Sequence, residues 1–119
     1  MEQGIIEGVR LFNSRRYFEA HEALETVWLR STGDRRTLLQ GLIQVAAAFH
    51  HQTRGNRAGA RSLLRKGRSK LDAFGAEFEG IDLGAFRREL RLWQKHLDAS
   101  SLPATPPATP PQIRCFTGA

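Results

Sequence analysis

His21 and Glu25 stand one helical turn apart in the run Phe18-Glu19-Ala20-His21-Glu22-Ala23-Leu24-Glu25-Thr26-Val27-Trp28. Residues at i and i+4 share a helix face, so this pair can hold a proton or a cation between them, with Glu22 alongside. A metal site is the sharpest reading. His21-Glu22-Ala23-Leu24-Glu25 is H-E-x-x-E, however, and the zincin pattern needs histidine at the fifth position. If a metal binds at all, His21, Glu25 and His51 make a His-Glu-His set suited to zinc. These ligands follow no known motif spacing, and the expectation is no metal. A di-iron carboxylate site needs inward acids on several helices, which this chain lacks.

Acid/base chemistry is the second reading, with His21, Glu22 and Glu25 as catalytic groups. A carboxylate beside a histidine in an apolar wall has a perturbed pKa. No nucleophile accompanies them, since the lone Cys115 lies in the tail and no serine sits in a recognisable elbow. In the third reading the groups are structural: Glu25, His21 and Gln44 satisfy one another inside the protein, the usual fate of buried polar groups. Trp28, Gln44, His50 and His51 are the candidate ligand contacts, with Trp28 a core anchor before it is a stacking platform.

Arg57, Arg61, Arg65 and Arg68 fall within a quarter turn and form a candidate anion-binding stripe. Without interleaved aromatics or a nucleic-acid fold signature, a solvated helix face is the favoured reading.

Helices must position these residues. The spacing predicts a first helix over 3–12, with Ile5, Val9 and Phe12 inward. Ser14 is a candidate N-cap for a second helix over 16–29. There Tyr17, Ala20, His21, Leu24, Val27 and Trp28 share one arc, and Glu25 lies at about 80° from Tyr17 between large apolar groups. His21 and Glu25 are therefore expected to face inward. Gly33 stops that helix and Asp34 caps the next, over 35–53. This third helix has no charged residue between Thr37 and Thr53 and is apolar over most of its circumference, which makes it the central helix. A fourth helix spans 57–74 with Gly67 in its buried stripe, where it permits a close helix contact. Residues 75–80 form a loop or turn, and Asp82 caps a fifth helix over 83–98. Two turn-then-helix starts about 40 residues apart give a layout like a tetratricopeptide-type repeat. Two units do not establish a repeat, but they support antiparallel helical hairpins. Residues 103–111 carry all five prolines and are expected to be extended and polyproline-like, neither helical nor in a sheet. The expected organisation is a helical bundle over 1–100 and a Pro-rich extended tail over 101–119.

At 119 residues the chain is one domain with one core. No apolar run approaches the roughly 20 residues that span a bilayer. The N-terminus lacks the basic start and cleavage site of a signal peptide. With a single cysteine, these features point to a cytoplasmic protein. The net charge of +6, with 15 of 18 basic residues arginine, permits anionic partners, but coding bias is the favoured reading.

Three segments carry a family resemblance: the Phe18–Trp28 run, Leu39-Gln-Gly-Leu-Ile-Gln-Val-Ala-Ala-Ala-Phe-His50, and Gly55-Asn-Arg-Ala-Gly-Ala60 with Leu63-Leu64. In order and spacing they resemble domain-of-unknown-function family 309, a family of small helical proteins, across about residues 12–71. The ending Pro111-Gln112-Ile113 resembles the family's Pro-x-Ile close, and the Pro/Ala/Thr stretch before it departs from the pattern. The resemblance implies an all-α bundle and no assigned activity. It also implies that the recurrent polar positions are His21, Glu22, Glu25, Gln44 and His51.

The sequence thus predicts an all-α, single-domain antiparallel bundle of about five helices. The favoured function is a non-enzymatic binding or interaction module with an interior His/Glu/Gln cluster. The alternative is a small-molecule-binding or metal-assisted hydrolytic enzyme using that cluster. A small molecule or a protein is the expected partner, nucleic acid is disfavoured, and no membrane is expected. Homo-oligomerisation stays open, and no cofactor is named by the sequence.

Overall fold

The computed structural model describes residues 1–99 and 105–116. Five helices follow in chain order: α1 (Gln3–Asn13), α2 (Tyr17–Trp28), α3 (Gly33–Thr53), α4 (Arg57–Leu71) and α5 (Leu83–Asp98). Between α4 and α5 lie two short strands, β1 (Glu77–Phe78) and β2 (Ile81–Asp82), paired antiparallel. All five predicted helices form, and the largest displacement is the end of α4, at residue 71 rather than 74. The class is all-α.

Each helix packs on its sequence neighbour, and α3 lies between α2 and α4, the central position that its apolar circumference predicts. An aromatic cluster joins the layers. Phe12 of α1 meets Tyr17 at 5.1 Å and Phe86 of α5 at 5.6 Å between ring centroids, and Phe49 of α3 meets Trp93 of α5 at 5.3 Å. These are edge-to-face contacts, the arrangement that ring quadrupoles favour. The α3–α4 contact is closer still. A Cβ added at Gly67 would lie 2.8 Å from the Gly41 carbonyl oxygen and 2.8 Å from Val45 Cγ2. Glycine here is a packing requirement that outweighs its poor helix propensity.

Asp82 caps α5 as the sequence predicts, Asn56 caps α4 without having been predicted, and Ser14 and Asp34 depart from expectation. The Asn56 side chain accepts from the Gly59 N–H, and Asp82 accepts from the Ala85 N–H, each at 3.0 Å. Ser14 does not cap α2. Its hydroxyl instead donates to the Arg10 carbonyl at the end of α1, a local bond that serves the end of the preceding helix better than a start two residues away. Asp34 lies in the first turn of α3, behind Thr32 at the N-cap, where its charge still opposes the helix dipole.

Residues 75–80 are more ordered than a plain loop. Glu79 (φ 48°) and Gly80 (φ 85°) make the tight turn of the β1–β2 hairpin. The chain then returns from the proline run to lie against this hairpin. Asp82 N–H donates to the Arg114 carbonyl, Phe116 N–H donates to the Gly80 carbonyl, and Ile81 pairs with Cys115. Pro111 and Ile113 are buried, so described residues 105–116 belong to the fold of the bundle, while Pro103 and Ala104 of the predicted extended run lie outside the described residues. No helix among the described residues is long and apolar enough to cross a membrane.

Candidate functional site

α2 sends Tyr17, Ala20, Leu24 and Val27 into the core. The adjoining stripe of Phe18, His21, Glu25 and Trp28 then becomes one wall of a groove, and the other wall is the Gln40–His51 side of α3. Two hollows lie along it, both open to solvent. One, of about 260 Å³, is lined by Phe18, His21, Ala47, His50 and His51. The other, of about 160 Å³, is lined by Glu25, Trp28, Gln40, Ile43 and Gln44.

The surface groove takes in His21, Glu25, Trp28, Gln44, His50 and His51, divided between the two hollows, and leaves Glu22 outside both. Glu25 is 50% exposed and His21 29%, and Glu22 faces solvent. The expectation of an interior cluster is corrected here. The physical reason is that α5 packs on the far side, against α4, with Phe86 on Phe12 and Trp93 on Phe49. Among the described residues no element covers the α2–α3 face.

His21 Nε2 lies 3.8 Å from Glu25 Oε2, an ion pair only when the imidazole is protonated. The expected mutual network does not form: His21 Nδ1, Trp28 Nε1 and Gln44 Oε1 are each buried without a hydrogen-bond partner. Such atoms are rare and costly in folded proteins. The Phe18 ring, 52% exposed, stacks on His21 at 6.1 Å and approaches His50 to 5.4 Å. Desolvation in the groove wall, with nearby Arg54, His51 and His21, holds the His50 imidazole below its ordinary pKa of 6.5. His51 Nδ1 is engaged by the Asn56 side chain at 3.2 Å. Arg36 lies over the Trp28 indole at 3.8 Å from its centre and donates to the Trp28 and Ser31 carbonyls, closing the end of α2.

His21, Glu25 and His51 do not converge as metal ligands, and no three His, Cys, Asp or Glu side chains among the described residues do. Cys115 lies in the docked tail, and burial pushes its thiol above the ordinary value.

The arginine stripe divides. Arg57 donates to the Leu97, His96 and Ala99 carbonyls and so caps α5. Arg65 pairs with Asp98 at 3.1 Å. Arg61 is exposed, and Arg68 faces a groove shared with α5. Sequence reasoning missed Phe18, Gln40, Ile43 and Ala47 as groove residues, and Arg36 as the group that covers Trp28. Phe18 had a signal, a large aromatic just outside the inward arc of α2. Arg36 had none, because its contact depends on the turn between two helices.

A family described as "Domain of unknown function (DUF309)" matches residues 5–63. A crystal structure of the conserved hypothetical protein TTHA0068 from Thermus thermophilus is 39% identical. It aligns over 78% of this chain and 94% of that one, with a TM-score of 0.64. The chain belongs to the DUF309 family. Uncharacterized protein YpuF of Bacillus subtilis is 37% identical over 89 residues, which are 72% of this chain and 49% of YpuF. The chain thus spans about half the length of that relative. Neither relative's name assigns an activity. The DUF309 match takes in both walls of the α2–α3 groove and ends before Arg65, Arg68 and α5.

Proposed function

We propose that this DUF309 protein is a non-enzymatic binding module whose α2–α3 groove receives a helical segment of a protein partner. The observation that carries the reading is the pair of open hollows in one line. The Phe18/His21 hollow and the Glu25/Trp28 hollow are seven residues apart along α2, and seven apart along the antiparallel α3. Seven residues of helix span about 10.5 Å, the distance between side chains at i and i+7 of a partner helix laid along the groove. Each hollow has room for an apolar side chain, and Phe18, Ile43 and Trp28 supply apolar contact. The unpartnered groups at His21, Trp28 and Gln44 supply hydrogen bonds if the walls shift to admit the ligand.

A displayed library of helical peptides with apolar residues at i and i+7 tests this. Selected peptides are expected to bind, and Phe18→Asp or Ala47→Arg is expected to abolish binding while the melting temperature holds. No enrichment, or binders insensitive to both variants, sinks the reading. An enzymatic use of the same residues has less support, because Glu25 is half solvated and no serine, threonine, cysteine or lysine lines either hollow.

A further inference from the structure

The charge of this protein is unevenly spent. On the α1–α3 side four of seven arginines find carboxylates, Arg10 with Glu7, Arg16 with Glu19, and Arg30 and Arg35 with Glu2, while Arg15, Arg36 and Arg54 do not. α4 carries six basic residues and no acidic one. Among the described residues Arg61, Lys66, Arg68, Lys70, Arg91 and Lys95 make no ion pair. The undescribed residues add no acidic side chain that could pair with them.

The fold concentrates these cations. Arg68 of α4 faces Arg91 and Lys95 of α5 across a shallow groove of about 530 Å³. Beside it, Arg65, Lys66 and Lys70 surround a second hollow with the hydroxyls of Ser62 and Ser69. Cations interleaved with hydroxyl donors are the side chains that contact phosphate oxygens. The α4 stripe alone favours a solvated face. The structure supplies a second helix of the same sign across a groove.

We propose that the α4–α5 face binds the phosphate backbone of a nucleic-acid duplex. Two other polyanions fit less well. A single strand needs aromatic platforms, and none of the residues lining the two basic hollows is aromatic. An anionic bilayer holds a basic face more firmly when apolar side chains insert among the cations, and of the large exposed apolar residues α5 offers only Leu92. Asp98 is the one acid in the groove, held by Arg65 and by Gln94 Nε2, both at 3.1 Å. It opposes phosphate and sets the sign of one test.

Fluorescence anisotropy with labelled 24-base-pair RNA and DNA duplexes at 50 and 200 mM salt reads this directly. With about four phosphates neutralised, affinity should fall on the order of 100-fold between the two salts. The triple variant Arg68→Glu/Arg91→Glu/Lys95→Glu is expected to lose at least tenfold, and Arg68→Gln/Arg91→Gln to lose less in the same direction if the triple variant is unstable. Asp98→Asn should bind more tightly, and Arg10→Glu/Arg16→Glu should change nothing. The proposal is overturned by no duplex binding at 50 mM salt, by equal losses in the control variant, or by binding to phosphatidylserine vesicles or single strands in preference to duplex.

Discussion

Asn13 holds Ile113 as a neighbouring strand would. Its side-chain N–H donates to the Ile113 carbonyl and its side-chain oxygen accepts from the Ile113 N–H, both at 2.8 Å. One amide at the end of α1 thus satisfies both backbone groups of a residue a hundred positions later. Glu89 accepts from Gln112 N–H at 3.1 Å, and the Thr109 carbonyl accepts from Trp93 Nε1 at 3.2 Å. Asn13→Ala strands buried backbone groups at Ile113, which costs about 1–3 kcal/mol. Urea unfolding should show that loss. Hydrogen exchange should show the amides of Ile113 and Phe116 losing protection before those of α3.

Arg57 and Arg87 form a reciprocal clamp on the last two helices. Arg57, at the start of α4, donates to carbonyls at the end of α5. Arg87, early in α5, donates to the Leu71 and Phe74 carbonyls at the end of α4. Each guanidinium serves helix-end carbonyls that otherwise lack partners and sits at the negative end of a dipole. Arg57→Ala and Arg87→Ala should each destabilise by about 1–3 kcal/mol in denaturant unfolding. Arg57→Lys should restore only part, because an ammonium lacks the fork that reaches several carbonyls. Arg57 is thereby separated from the other cations of its stripe, so Arg57→Ala should not alter the salt dependence of polyanion binding.

Gly67→Ala tests the closest helix contact. The added methyl meets the Gly41 carbonyl oxygen and Val45 Cγ2, each at 2.8 Å. One of these is backbone, so α3 and α4 must move apart. The gain in helix propensity of about 1 kcal/mol opposes an overpacking cost of typically 1–3 kcal/mol. The net expectation is a lower melting temperature. Gly59→Ala is the comparison: its added methyl would lie 2.7 Å from Asn56 Nδ2, so it disturbs the cap of α4 rather than the α3–α4 contact. A rise in melting temperature for Gly67→Ala would show that the two helices separate freely.

The helices were legible because long periodic apolar stripes dominate local preference. α3 shows this most clearly, with no charge from Thr37 to Thr53. The Gly67 contact was legible because a glycine in a buried stripe has few other uses. The tail's docking was not, because it rests on Asn13, Gln112 and the edge of a hairpin that only the folded chain brings together. The β1–β2 hairpin was missed because two-residue strands carry no periodicity. That His21 and Glu25 share one face of α2 was legible, but how deeply that face is buried was not. Helical geometry puts Glu25 at the margin of the inward arc. Whether a margin is buried depends on what packs over it, and α5 went to the other side. Spacing cannot report that choice.

His50 gives the fold a pH dependence of known sign. Desolvation in the groove, reinforced by Arg54, His51 and His21, lowers its pKa below 6.5. The unfolded chain, with the ordinary value near 6.5, therefore binds this proton more readily than the folded one. Stability from this group is full above about pH 6.5 and is lost as pH falls from there through the lowered folded value. Melting temperature should decline between pH 7.5 and 5.5, and His50→Gln should flatten the decline. The Glu7 carboxyl does not account for that window, because its hydrogen bond to Arg10 holds it below 4.5 and it titrates at lower pH. If His50→Gln leaves the slope between pH 7.5 and 5.5 unchanged, the groove does not disfavour charge at this imidazole. The open hollow beside Phe18 would then be more hydrated than its apolar lining implies.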